Sequence, residues 1–192
     1  MSTQVVFVLQ LLWFTIAWTT IARLVVWPWS QRLPAHQFVA LWIAPQMFRV
    51  LGLGLLVPNL APGMPMEFAA PTAIGDSATA LLALCAFVLL QKNHSLGRPA
   101  AWAASVVGIT DGLHALSMAA RLGVAENRTA QWYVPALGIP LMAAAHVGCI
   151  AALLATRARN DAQASALDLA LLRSIALALA IAIRLTRPTE IR

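Results

Sequence analysis

Long apolar runs separated by short polar segments dominate the chain. Five runs are long enough to cross the roughly 30 Å hydrocarbon core of a bilayer as helices. They cover about 5–27, 38–57, 72–90, 101–122 and 133–155. The connectors are rich in proline and polar residues, and none is long enough for a soluble domain. The pattern predicts an all-α polytopic transmembrane helix bundle that forms a single domain over residues 1–192.

A sixth apolar stretch at about 168–185 is interrupted by Arg173. Its uncharged part, 174–183, is shorter than the roughly 20 residues that a spanning helix needs. We therefore expect either a C-terminal helix that lies at the membrane interface or a marginal sixth span.

Composition and charge narrow the class of protein. Apolar residues make up 60% of the chain and charged residues 10%, whereas a soluble domain has roughly 25% charged residues, which excludes a soluble globular protein. The net charge of +6 comes from arginines scattered at the ends of the apolar runs, which does not indicate a nucleic-acid partner. Their distribution predicts an outside N-terminus and an inside C-terminus. The Arg-rich, Ala/Leu-rich composition favours a bacterial inner (plasma) membrane.

Few ionisable side chains fall inside the five runs, and each is costly there, roughly 2.5–3.5 kcal/mol for a charge at the centre of a spanning helix. Away from the ends of the runs they are Arg49, Asp76, Asp111, His114 and His146, while Arg23 lies close to an interface. The second and third spans are joined by a short connector and should be neighbours. We expect a buried ion pair between Arg49 and Asp76, with Asp111 as the competing partner.

A second group of polar residues is predicted near the middle of the membrane. Asp111 and His146 lie roughly 15 Å and 13–14 Å from the inner ends of their runs at 1.5 Å per residue. His114 shares a helix face with Asp111 because it is three residues further on. Stripes of small residues at 104, 108 and 112 and at 144, 148 and 152 favour packing of the fourth span on the fifth. We interpret Asp111, His146 and His114 as a hypothetical ligand or proton site.

Three functions remain open at this point. Ionisable groups at the midplane are typical of a small carrier or binding protein. The small-residue stripes and the lack of a soluble domain are compatible with a structural or assembly subunit that contacts a membrane-protein partner or a second copy. The residues Asp111, His114 and His146 leave a metal or haem redox protein as the third alternative. No motif indicates an enzyme, and no cofactor is predicted.

The motifs around these residues resemble a group of small bacterial integral membrane proteins without a known activity. The resemblance covers roughly residues 37–155. It is carried by Phe48-Arg49, Gly75-Asp76, Gly108-x-x-Asp111 and Pro140 with His146. It implies that Arg49, Asp76, Asp111 and His146 belong to one shared design, and it does not include His114.

Overall fold

The computed structural model describes residues 3–124 and 133–159, and these ranges contain helices and connectors without a strand. The helical segments form five spans that are long and apolar enough to cross a membrane, which confirms the predicted class. We number them span 1 to span 5: Val5–Ser30, Ala35–Leu56, Met66–Gln91, Gly97–Leu122 and Tyr133–Arg157. The predicted C-terminal helix at 168–185 lies outside the described residues.

Span 1 is irregular at its C-terminal end. The α-helix Thr3–Ile21 passes through a π-helical turn, Ala22–Val26, into a short helix, Trp27–Ser30. Pro28 has no N–H for the α-helical bond, and the N–H of Trp27 reaches back to the Ala22 carbonyl instead. The most apolar part of this span has no buried residue, so span 1 stands at the edge of the bundle.

Span 2 changes its helical type halfway. An α-helix, Ala35–Ile43, continues as a 3-10 helix, Ala44–Leu56. Pro45 stands at the junction and removes the N–H that would continue the α-helical ladder. The run was predicted from its hydropathy as one helix, and hydropathy does not distinguish the two types.

Span 3 is an α-helix that begins at Met66, six residues before the predicted start at position 72. Pro71 was assigned to the connector, but it lies inside the helix. Its ring disturbs only the carbonyl four residues earlier, at Glu67, which is still in the first turn. Span 4, Gly97–Leu122, also begins four residues earlier than predicted.

The two ends of the bundle are packed differently. We name them the Lys92 end and the Pro58 end after the connectors that they carry. A large apolar cluster fills the Lys92 end and includes Phe38, Trp42, Leu90, Trp102 and Leu153. A smaller cluster around Met64 and Phe68 lies at the Pro58 end. All buried residues of span 4 lie between Gly97 and Gly108, and its Pro58-end half contributes partly buried side chains to the smaller cluster.

The predicted packing of span 4 on span 5 is present, but it is not the main contact of span 4. Span 4 packs more extensively on span 3. Gly108 touches span 3 and span 5 together, through Thr79 and His146. Gly148 of the fifth span packs against the Trp42 ring of span 2. Gly148 has no side chain, and this leaves the space that the large indole ring of Trp42 occupies.

Candidate charged site between the spans

Arg49 is the centre of a charged site that joins spans 2, 3 and 4. Its Nε donates to Asp76 Oδ1 at 2.7 Å, and its Nη2 donates to Asp111 Oδ2 at 2.5 Å. The remaining nitrogen, Nη1, donates to the carbonyl oxygen of Gly108 at 2.9 Å. The alternatives predicted for Arg49 are therefore both present, because a guanidinium offers donors in several directions at once.

Glycines make room for the two carboxylates. A Cβ atom on Gly52 would collide with the Asp76 carboxylate, and a Cβ atom on Gly75 would collide with that of Asp111. Each carboxylate therefore rests against the backbone of the neighbouring span while its other oxygen binds Arg49. The adjacent residues Gly75 and Asp76 therefore both contribute to the site. Gly75 leaves room for the Asp111 carboxylate, and Asp76 binds Arg49.

The 3-10 geometry of span 2 places Arg49 on the inner face. With three residues per turn, residues three apart lie directly above one another. Gln46 and Gly52 are both buried, and Arg49 lies between them in the same column. The neighbours Phe48 and Val50 are exposed, at 62% and 45%. The helical type of this segment therefore determines which of its side chains reach the site.

The charged residues lie at one depth in the bundle. Asp76 is ten residues from Met66, and Asp111 is eleven residues from Leu122, which corresponds to about 15 and 17 Å from the Pro58 end. A helix that began at position 72, the predicted start of span 3, would put Asp76 only about 6 Å from that end. The earlier start at Met66 brings Asp76 to the depth of Asp111.

His146 does not lie at the same depth as Asp111, contrary to the prediction. Its ring lies at the level of Gly108, where a Cβ atom would be 2.7 Å from Cε1 and Nε2 of the imidazole. Gly108 precedes Asp111 by three residues, so His146 is about one turn, or 4.5 Å, deeper toward the Lys92 end. The predicted equal depth was wrong because span 4 begins at Gly97 and not at position 101.

The side chain of His114 is exposed on span 4, within electrostatic reach of Asp111. His146 is buried on span 5. In the part of the chain that the structure describes, no group of three or more His, Cys, Asp or Glu side chains could hold a metal ion. The set Asp111, His114 and His146 is therefore not assembled as metal ligands, and the two imidazoles do not share one environment as haem ligands would.

The charge of the site is not balanced within it. One guanidinium faces two carboxylates, so with both acids ionised one negative charge is left over. The side chains of Arg49, Asp76 and Asp111 are 9%, 17% and 10% exposed. Charged atoms avoid hydrocarbon, so this remaining surface must meet water or protein in the membrane. The arrangement suits the binding of a proton or a small cation.

Comparison with known proteins identifies the family but no activity. The family model described as "Domain of unknown function (DUF8737)" matches residues 6–154. The chain belongs to the DUF8737 family. The matched region of this family member holds the whole of spans 2, 3 and 4 and therefore every residue of the charged site. No curated protein and no solved structure is significantly similar to the chain.

Sequence reasoning missed three features of the site. Gln46, Gly52 and Gly75 were not selected as site residues, although each one lies beside a charged or polar partner. The spacing of three residues among Gln46, Arg49 and Gly52 was a usable signal for a 3-10 face. The position of Gly75 directly before Asp76 was visible, but its contact is with a different acid, which only the fold reveals.

Proposed function

We propose that this protein is a small carrier or binding protein of the membrane that holds a proton or monovalent cation at the Arg49–Asp76–Asp111 site. The observation that carries the proposal is the second carboxylate on a single buried guanidinium. One acid would neutralise Arg49, and the other leaves a negative charge that an added cation balances. Intramembrane ionisable groups of this kind are typical of ion and substrate sites.

The packing around the site supports access from the Pro58 end. Beyond Gly108 the side chains of span 4 are at most partly buried, and several of them pack on the smaller cluster at the Pro58 end. A Cβ atom on Gly138 of span 5 would meet no atom within 4 Å, and one on Gly112 would meet only Arg49 Nη1 at 3.9 Å. Toward the Lys92 end, in contrast, the large apolar cluster closes the bundle. A cation that enters from the Pro58 end therefore stops at the acids.

The experiment uses purified protein reconstituted into liposomes. Proton uptake is followed with an entrapped pH-sensitive dye and sodium uptake with radioactive sodium, each under an imposed membrane potential. Wild type should take up one of the two ions, and Asp111→Asn should lose this uptake. Glu67→Gln is the matched control because it removes the same charge from an exposed position in the first turn of span 3. Equal uptake by wild type and Asp111→Asn would contradict the proposal.

A structural or assembly subunit is the second candidate function, and the position of span 1 favours it. This span contributes no buried residue in its most apolar part, so most of its surface faces outward from the bundle. This outward surface of span 1 would contact a membrane-protein partner or a second copy of the chain. Native mass spectrometry from a mild detergent tests this function, and a monomer without a bound protein would contradict it.

The membrane and topology belong to the same proposal. We place the protein in a bacterial inner membrane with the N-terminus outside, so that the Pro58 end faces outward and the Lys92 end faces the cytoplasm. Reporter fusions at position 60 and at position 94 test the orientation. A cytoplasmic signal at position 60 would reverse it.

A further inference from the structure

His146 is buried in a way that the charged site does not explain. The residue is 5% exposed, and among the described residues neither ring nitrogen has a hydrogen-bond partner. A neutral imidazole has one donor and one acceptor, and both are left unused here. Buried polar atoms in native proteins nearly always have a partner, so the environment of His146 should contain one beyond the described residues.

Gln46 is a second buried side chain with an unused polar atom beside His146. Its Nε2 donates to the carbonyl oxygen of Met142 at 3.0 Å, and its Oε1 has no partner in the described part of the chain. Met142 is four residues before His146, which is one turn of span 5. The amide of Gln46 therefore reaches span 5 next to the imidazole.

Ser105 approaches the same place from span 4. It is fully buried, and its hydroxyl lies beside the thiol of Cys149, which is three residues beyond His146 on span 5. Ser105 is three residues before Gly108 and shares its helix face, and Gly108 touches the His146 ring. Polar atoms from spans 2, 4 and 5 thus surround one turn of the fifth span.

The chemistry of these atoms defines the ligand. It must donate to the amide oxygen of Gln46 and to the unprotonated nitrogen of His146, and it can accept from the Ser105 hydroxyl. The two ring nitrogens point in different directions, so the protonated nitrogen needs a second molecule as its acceptor. A cation is disfavoured because the guanidinium of Arg49 is bonded to Gly108, the residue that His146 touches. We infer that water binds among Gln46, Ser105 and His146. Water fits since it is small, neutral and able to donate and accept at once.

The consequence is that the polar interior extends deeper than the ion contacts. Gly108 connects the two parts, because its carbonyl accepts from Arg49 and its Cα faces His146. The bound water would lie about one turn, or 4.5 Å, nearer the Lys92 end than Asp111. Beyond it the apolar cluster around Trp42 and Leu153 closes the path.

Solid-state NMR of the protein in liposomes, with nitrogen-15 label in histidine, tests for this water directly. Magnetisation is transferred from water protons to the ring nitrogens, and the signal of His146 is identified by its loss in His146→Gln. We expect transfer to His146 as well as to His94, which lies in an exposed connector and serves as the internal positive control. Transfer to His94 without transfer to His146 would overturn the inference.

The sign of a stability change gives an independent test. A dry, unpaired imidazole should raise the unfolding temperature when leucine replaces it, because two unsatisfied polar atoms disappear. A hydrated imidazole should lower it, because hydrogen bonds are lost. We expect a lower temperature for His146→Leu, whereas the exposed control His114→Leu should change little. A rise for His146→Leu contradicts bound water.

The two proposals can fail separately. The NMR experiment contains no transported ion, so a dry His146 would leave the cation site of Asp111 standing. Conversely, if no ion were taken up but magnetisation from water reached His146, the carrier proposal would fail and the inference of bound water would stand.

Discussion

Removing Arg49 should be far more damaging than removing either of its acids. Arg49→Met leaves Asp76 and Asp111 facing each other without a positive charge, in a site where both are at most 17% exposed. Breaking a buried pair by deleting one partner costs about 3–5 kcal/mol. Asp76→Asn instead leaves Arg49 paired with Asp111 and makes the site neutral. Its cost should be closer to that of a hydrogen bond in a membrane bundle, about 0.6 kcal/mol on average.

A triple variant separates lost contacts from uncompensated charge. Arg49→Met combined with Asp76→Asn and Asp111→Asn removes every contact of the guanidinium but leaves no unpaired ion. Because replacing a complete buried ion set by neutral groups is often close to neutral, the triple variant should recover most of the stability lost by Arg49→Met.

The assay is reversible unfolding in mixed detergent micelles, with the denaturing detergent as the variable and circular dichroism as the readout. The free energy of unfolding should follow the order wild type, Asp76→Asn, the triple variant and Arg49→Met, from highest to lowest. The reasoning would be refuted if Arg49→Met were no less stable than Asp76→Asn. It would equally fail if the triple variant were less stable than Arg49→Met.

Two further predictions use the glycines. Gly75→Ala should push the Asp111 carboxylate away from Arg49 and lower the unfolding temperature, since its Cβ has no free space. Gly148→Ala should press on the Trp42 ring and cost about 1–3 kcal/mol, the range of overpacked cores. Gly138→Ala is the control for both, because its Cβ meets nothing within 4 Å and should lose no stability. Unfolding temperatures of Gly75→Ala and Gly148→Ala equal to that of this control would show that these contacts do not matter.

The class of fold could be predicted because it depends on composition and run length alone. A bilayer accepts only segments that satisfy their own backbone hydrogen bonds, so five apolar runs of spanning length imply five helices. Helix bounds were less certain, since Pro71 reads as a connector residue although its ring is tolerated near a helix start. The six-residue error in span 3 then misplaced Asp76 in depth.

The composition of the site could be predicted only in part. Burial of charge requires a partner, which identified Arg49 and Asp76 as a pair and Asp111 as a competitor. That one guanidinium binds both acids depends on the 3-10 turn after Pro45, which rotates Arg49 toward the spans that carry them. The predicted equal depth of Asp111 and His146 was wrong because an error of four residues in a run boundary is larger than one helix turn.

The role of Asp111 decides whether the charged site binds an ion or only holds the spans together. Arg49 already reaches span 4 through the Gly108 carbonyl, so Asp111 is not needed to connect that span, whereas Asp76 is the hydrogen-bonded link from Arg49 to span 3. If the site only held the spans together, Arg49, Asp76 and the Gly108 carbonyl would be enough, and their charges would cancel. Asp111 adds a negative charge that this structural role does not need. We expect Asp111→Asn to be more stable than Asp76→Asn in the unfolding assay while it loses ion uptake in liposomes. If Asp111→Asn were the less stable of the two and uptake persisted, the second carboxylate would serve the fold, and the charged site would be a structural element of the bundle.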